Sequence, residues 1–319
     1  MRLRGFRGVT ILLAAAATSA VLLFTACSSG LERTGSTLPI DTLPSALINL
    51  DQSDGARPDT IGKNELFVSE FGYSPYTNAV RIYQNQTFKR LGQITLGIDH
   101  PYGTWLDSHG LYVANDFGPS ITEYSSANAK PFTYKAGMTS PVAVTSDLRG
   151  TVFEADSSGY VNEYSQKVNV VDTKCSVAGV PSGIAVDTAS DVLVAYNLSG
   201  KGHIVEFTGF SSCKSRRLGV RLGTAGGMAV DRNNHIVICD ESRHSVDIIK
   251  PPYRAVSGHL VAGWTGQPTD VKINAANNRA WIVSDGSVSK LYYPSGQPVA
   301  SIVPGTYAYG AVDGSNYVP

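Results

Sequence analysis

The chain has 319 residues, with 26 Lys+Arg balanced by 26 Asp+Glu, so its formal net charge is zero. Charged residues make up 16%, below the ~25% usual in soluble domains, while 32 Gly and 16 Pro supply many turn formers. Zero net charge without a Lys/Arg run excludes an electrostatic nucleic-acid binder. The 42% of hydrophobic residues excludes wholesale disorder.

Residues 1–26 read as an export signal. Arg2, Arg4 and Arg7 form a positive flank, followed by an apolar run from Val9 to Phe24. That run is short for a membrane span, which needs about 20 apolar residues, and it ends in small and polar residues as a cleaved signal requires. The segment Phe24-Thr25-Ala26-Cys27 resembles the lipobox of bacterial lipoproteins, with Phe24 where Leu is usual. The resemblance implies cleavage before Cys27, a lipid on its thiol and attachment to a bacterial membrane. Ser28, where Asp would imply inner-membrane retention, points to the outer membrane if the host has one. The alternatives are an ordinary secretory signal or an uncleaved anchor. Residues 1–26 hold three of the 26 basic residues and no acid, so the remainder carries 23 basic and 26 acidic residues, a net of −3. Residues 27–63, rich in Ser, Thr, Pro, Gly and Asp, read as a flexible linker, with an apolar patch from Leu43 to Leu50 that reads either as a segment docking on the domain or as a functional helix.

From residue 64 to 319 one unit repeats. A Pro or small residue opens an apolar strand that closes on Asp or Asn six residues later: Pro101–Asp107, Pro141–Asp147, Pro181–Asp187, Ala225–Asp231, Pro268–Asn274 and a shorter copy at Tyr307–Asp313. The closing residues are spaced by 40, 40, 44, 43 and 39. A second strand follows each copy, as in Leu111-Tyr112-Val113-Ala114. A third alternates apolar and polar residues and ends on a large apolar one, as in Ile121-Thr122-Glu123-Tyr124. Alternation predicts half-buried strands. Four strands every ~40–45 residues is the period of a β-propeller, and six copies predict an all-β, six-bladed propeller. The chain meets its repeats at a second strand near Leu66 and ends on a first strand at Gly310–Asp313. The C-terminal strand is therefore predicted to complete the N-terminal blade and close the ring. Tyr83, Tyr124, Tyr164 and Phe207 share one repeat position and are predicted to be core between blades.

Runs such as Pro181-Ser-Gly-Ile-Ala-Val-Asp187 and Ala225-Gly-Gly-Met-Ala-Val-Asp231 resemble NHL repeats. The resemblance covers residues 64 to the end and implies a six-bladed propeller. It does not select a function, since related bacterial propellers include binding domains, sensors, lactonase-like metalloenzymes and lyases.

Cys175 and Cys213 follow the third strands of adjacent blades, and in an exported chain this placement suggests a disulfide. Two thiols too far apart to bridge are the alternative. Cys239 lies within a second strand and reads as a buried, inert thiol.

In six-bladed propellers the loops from second to third strand, and from fourth to the next first strand, share one face around the central channel. Residues leaving the second strands form one ring there: Glu70, Asn115, Asp156, Tyr196, Asp240 and Ser284, with Asp116, Asn197 and Asp285 beside it. Residues preceding the first strands form another: His100, Ser140, Val180, Thr224, Gln267 and Thr306. Glu70, Asn115, Asp156 and Asp240 are candidate oxygen ligands for a divalent cation such as Ca²⁺ in the channel. A resemblance to the SMP-30 type of lactonase supports that chemistry, although the Glu-Gly-Pro start of that family is absent. The competing reading is that these side chains cap turns. His100 and His244 with Asp240 are candidates for an acid–base set. The channel aromatics Tyr73, Tyr76 and Tyr102, and the long loop Phe71–Asn78, are candidate contact surfaces for a glycan or peptide.

These readings lead to a lipid-anchored, extracytoplasmic, monomeric propeller that binds or scaffolds a protein, peptide or glycan, with no nucleic-acid partner. The alternative is an enzyme, a metal-dependent lactonase-like hydrolase or a lyase, working at the channel mouth.

Overall fold

The computed structural model describes residues 61–62, 64–72, 78–261, 266–304 and 307–314. Residues 1–26, expected to be an export signal, Cys27, almost all of the segment expected to be a linker, Tyr73, Tyr76 and Thr306 lie outside the described residues.

Among the described residues the strands form six four-stranded antiparallel sheets, the blades of a β-propeller. Blade 1 contains β1 (Glu65–Phe71), β2 (Ala79–Gln84) and β3 (Arg90–Ile94). Blade 2 contains β4 (Pro101–Leu106), β5 (Leu111–Asn115), β6 (Ser120–Tyr124) and β7 (Phe132–Tyr134). Blade 3 runs through β8 (Pro141–Ser146), β9 (Val152–Asp156), β10 (Tyr160–Tyr164) and β11 (Thr173–Ser176). Blade 4 has β12 (Val180–Val186), β13 (Val192–Leu198), β14 (Lys201–Phe207) and β15 (Ser215–Arg217). Blade 5 has β16 (Ala225–Val230), β17 (Ile236–Asp240), β18 (Ser245–Ile249) and β19 (Gly258–Val261). Blade 6 has β20 (Pro268–Ile273), β21 (Arg279–Ser284), β22 (Ser287–Tyr292) and β23 (Pro298–Ile302). The last strand, β24 (Tyr307–Asp313), pairs antiparallel with β1 and becomes the inner strand of blade 1, in the order β24-β1-β2-β3.

Pairing corrects the repeat register at the end of the chain. Leu66 pairs with Asp313, whereas Leu111, its counterpart in blade 2, pairs with Leu106. The sixth copy is therefore shifted by one residue: Gly310 matches Gly103, and Tyr309 matches Tyr102. The terminal Asp313 imitated the repeat's closing Asp without occupying its place.

The second strands are more buried than alternation predicts. Leu111–Asn115 and Val152–Asp156 are buried at every position. The cause is radial packing, because both faces of a blade meet a neighbour. Leu66 and Val68 pack with Trp281 and Val283 of blade 6, while Phe67 between them packs with Leu111 and Val113 of blade 2. Six such clusters fill the gaps between successive blades, and Tyr83, Tyr124, Tyr164 and Phe207 each lie in one.

The closing Asp of the repeat has a local job. Asp147 Oδ1 accepts from the N–H groups of Arg149 and Thr151, Asp187 Oδ1 from Ala189 and Asp191, and Asp231 Oδ1 from Asn233 and His235. A short acceptor that satisfies two turn amides fixes the tight connection from first to second strand. Those turns lie at the end of the blades away from the rings described next.

Candidate functional site

The two rings meet within the blades. Asp156 Oδ2, at the end of β9, accepts from the backbone of Thr139 and Ser140 at 2.6 and 3.0 Å, just before β8 of the same blade. Asn115 Oδ1 accepts from Asp99 N at 3.0 Å, and Asp240 Oδ2 from Gly223 N at 2.7 Å. In blade 6 Asp285 takes this part, accepting from Gln267 N at 3.1 Å. Glu70 differs: its two oxygens accept from Arg81 Nε at 3.2 Å and Tyr83 Oη at 3.0 Å. Tyr196 and Ser284 are buried.

Glu70, Asn115, Asp156 and Asp240 are thus each engaged within their own blade. Among the described residues, one set of three His, Cys or acidic side chains brings ligand atoms within 4.8 Å of one another: Asp187, Asp191 and Glu206, with no member of the ring. There Glu206 is held by Arg216 at 2.5 Å and Asp187 by its own turn. His100 and the pair His244/Asp240 stand on blades 2 and 5, opposite one another in the ring of six. His244 Nδ1 lies 3.1 Å from Gly266 O, and Asp240 is bound by Arg243 at 3.1 Å.

The channel itself is a cavity of about 270 Å³. Its wall is formed by the second, third and fourth residues of the inner strands, so its chemistry is a list of repeat positions. The third position is Gly103, Ala143, Gly183, Gly227, Asp270 and Gly310. Small residues are needed there because inner strands approach at backbone distance: a Cβ on Gly183 would stand 2.8 Å from Gly226 O. Asp270 is the exception, and it fits because its neighbour is Gly227, where an added Cβ would collide with Asp270 Oδ1. Lys272 Nζ lies 2.6 Å from Asp270 Oδ1, forming a buried pair. Burial raises the Asp270 pKa, and Lys272 opposes that rise.

Glu241 reaches the same wall from the start of the β17–β18 connection. Its Oε1 lies 3.0 Å from where a Cβ on Gly226 would stand. Burial, with the nearby Asp240 charge, pushes its pKa up to about 7. Its carboxylate makes no hydrogen bond among the described residues. The repeat carried a signal for it, since Glu241 occupies the position of Asp116, Asn197 and Asp285.

Across the channel the wall is aromatic. Tyr102 and Tyr309 hold the second position of adjacent inner strands, with ring centroids 4.6 Å apart. Blade 2, carrying Tyr102, stands opposite blade 5, carrying Gly226 and Glu241. Toward the mouth, His100 is 6% exposed and touches Phe71, Tyr102 and Phe117. Burial lowers the His100 pKa, with the Asp116 carboxylate 3.4 Å away opposing it. Phe117 stacks on His100 at 4.0 Å and remains 68% exposed; Tyr307, paired with Phe71, is 63% exposed. Phe71, His100, Tyr102 and Phe117 form an aromatic ledge across blades 1 and 2, with Tyr307 at its edge by strand pairing.

A disulfide joins Cys175 of β11 to Cys213 beside blade 4, with Cα atoms 5.4 Å apart. Cys239 is a buried free thiol whose pKa burial raises, which keeps it in the inert thiol form.

No family model matches the chain, and no curated protein matches it. Solved structures that resemble it include 1434 chains, a breadth that identifies a widely used fold without selecting a function. One is a chain in the crystal structure of a nidogen/laminin complex, 17% identical, with a TM-score of 0.65 over 77% of this chain and 97% of that one.

Proposed function

We propose that this protein is a lipid-anchored, extracytoplasmic binding propeller of NHL-like repeats that holds a protein, peptide or glycan ligand on the face of its channel mouth. The observation that carries this reading is the aromatic ledge: Phe117 stands 68% exposed and stacks on His100, which touches the channel-lining Tyr102, and Tyr307 stands 63% exposed on the strand paired with Phe71. Large exposed aromatics clustered at a concave mouth are contact groups for another molecule. A propeller chain from a complex named for two proteins, nidogen and laminin, is an architectural parallel. The metal-dependent hydrolase or lyase would need Glu70 to leave Arg81 and Tyr83, and Asn115, Asp156 and Asp240 to leave their turns, before the four could converge, at a cost of several hydrogen bonds.

The test uses the full chain in detergent micelles, screened against glycan arrays and displayed peptide libraries. Ligands retained by the native protein are expected to be lost in the Phe117→Ser/Tyr307→Ser double variant, with its melting temperature unchanged. Ligands that bind both proteins equally would overturn the reading. Cys27→Ser should abolish incorporation of a clickable fatty acid; labelling that persists would remove the lipid anchor from the proposal.

A further inference from the structure

Within the channel one charge stands uncompensated. Three charged residues line it, and of these Asp270 and Lys272 neutralise each other at 2.6 Å. Glu241 alone among the channel-wall charges has no cationic partner, and its carboxylate has no hydrogen-bond donor among the described residues. A carboxylate left in a partly desolvated wall without a partner is unfavourable for the empty protein. The wall facing it is the Tyr102/Tyr309 pair. A carboxylate on one side and aromatic faces on the other attract the same kind of group, an organic cation with an apolar stem. A metal ion would want several oxygen ligands, and the other carboxylate here is already bound to Lys272. At about 270 Å³ the cavity is slightly smaller than the ~300–1,000 Å³ of pockets for drug-sized ligands, which suits something the size of one side chain.

We infer that the channel is a subsite for an alkylammonium or guanidinium group, held by Glu241 and packed against Tyr102 and Tyr309. The inference rests on the binding-propeller reading and assigns a chemistry to the ligand. The cation is either a free amine or the basic side chain of a partner seated on the aromatic ledge, and the two share the recognition chemistry.

The experiment is calorimetric titration of the full chain, in micelles at pH 8, with two probes: 1,5-diaminopentane, and the blocked tripeptide Gly-Lys-Gly beside its Nε-acetylated form. Saturable binding of either ammonium probe is expected, weakened at least tenfold by Nε-acetylation and at least tenfold by Glu241→Gln. That substitution removes only a charge, so folding is not at risk. Tyr102→Leu should weaken binding several-fold. Tighter binding of the diamine identifies a free amine as the source; tighter binding of the tripeptide identifies a partner's side chain. Absence of saturable binding by both, or equal binding by Glu241→Gln, overturns the inference. If that happens while Phe117→Ser/Tyr307→Ser still abolishes ligand capture from the arrays, the cation subsite falls and the binding-propeller reading stands.

Discussion

The carboxylate of Asp270 occupies space that Gly227 leaves open: a Cβ on Gly227 would strike Asp270 Oδ1. The two residues stand at the same repeat position on adjacent inner strands, one having given up its side chain where the other keeps a charged one. Gly227→Ala should therefore destabilise the protein by about 2–4 kcal/mol, as overpacking against an immobile buried pair does. Asp270→Ala alone strands Lys272 and should cost a similar amount. The coupling is the informative quantity. The double variant should be at least 1 kcal/mol more stable than the sum of the singles predicts, read from urea unfolding of all four proteins. Simple additivity would mean that the backbone contacts of a Gly227 Cβ, 2.9 Å from Asp270 Cα and 3.0 Å from Thr269 O, and not the Asp270 carboxylate, set its cost.

Glu241→Gln should stabilise the protein, and do so only at higher pH. The native carboxyl holds its proton up to about pH 7, against a reference value of 4.5. Between those values the folded state binds more protons than the unfolded one, so native stability falls as pH rises through the window. The shift corresponds to about 3 kcal/mol, and partial solvent access reduces the expected gain to roughly 1–2 kcal/mol at pH 8. Below pH 4.5 the variant and the native protein should melt together. A variant less stable than the native protein at pH 8 would give Glu241 a structural role.

Removing residues 307–319 takes away the inner strand of blade 1. It uncovers the edge of β1, whose Leu66 and Val68 pack with Ala308 and Ala311. The ring then has an open edge and a broken interface. Loss of cooperative unfolding and aggregation at micromolar concentration are expected, as judged by circular dichroism and light scattering. A truncated chain that melts within a few degrees of the native one would show that ring closure adds little.

Divalent cations provide a separate check. Asp156 already accepts from two backbone amides and from Ser158, and Asp240 from Gly223 and Arg243. After dialysis against a chelator, millimolar Ca²⁺, Mg²⁺, Mn²⁺ or Zn²⁺ should move the melting temperature by less than about 1 °C, where a specific site occupied at 100 times its Kd would add ~2.7 kcal/mol. Selective stabilisation by one ion, lost in Glu70→Gln or Asp240→Asn, would instead favour the metalloenzyme.

The architecture was legible because every blade repeats the same physical problem. Period, apolar strands and turn-forming Asp residues recur together, so six blades and closure by Gly310–Asp313 follow from counting. Register at the last copy was less legible, because Asp313 sits where an Asp was expected and only its pairing with Leu66 reveals the offset. The site was less legible again. The ring positions could be listed, but whether Asp156 points at a channel or at Thr139 depends on loop geometry that composition does not encode. Asp270 and Lys272 lie inside a strand and carry no motif. Their significance comes from Gly227 across the blade boundary, a neighbour 43 residues from Asp270 in the chain.

Closure by β24 also has a kinetic side. Every other strand is synthesised before it, and its pairing of Leu66 with Asp313 joins residues at nearly opposite ends of the propeller sequence. Contacts of such separation form late and slowly. Until β24 docks, blade 1 is an unfinished surface on both β1 and the side of blade 6. The chain's resistance to proteases should therefore rise in one step, when the last strand zips.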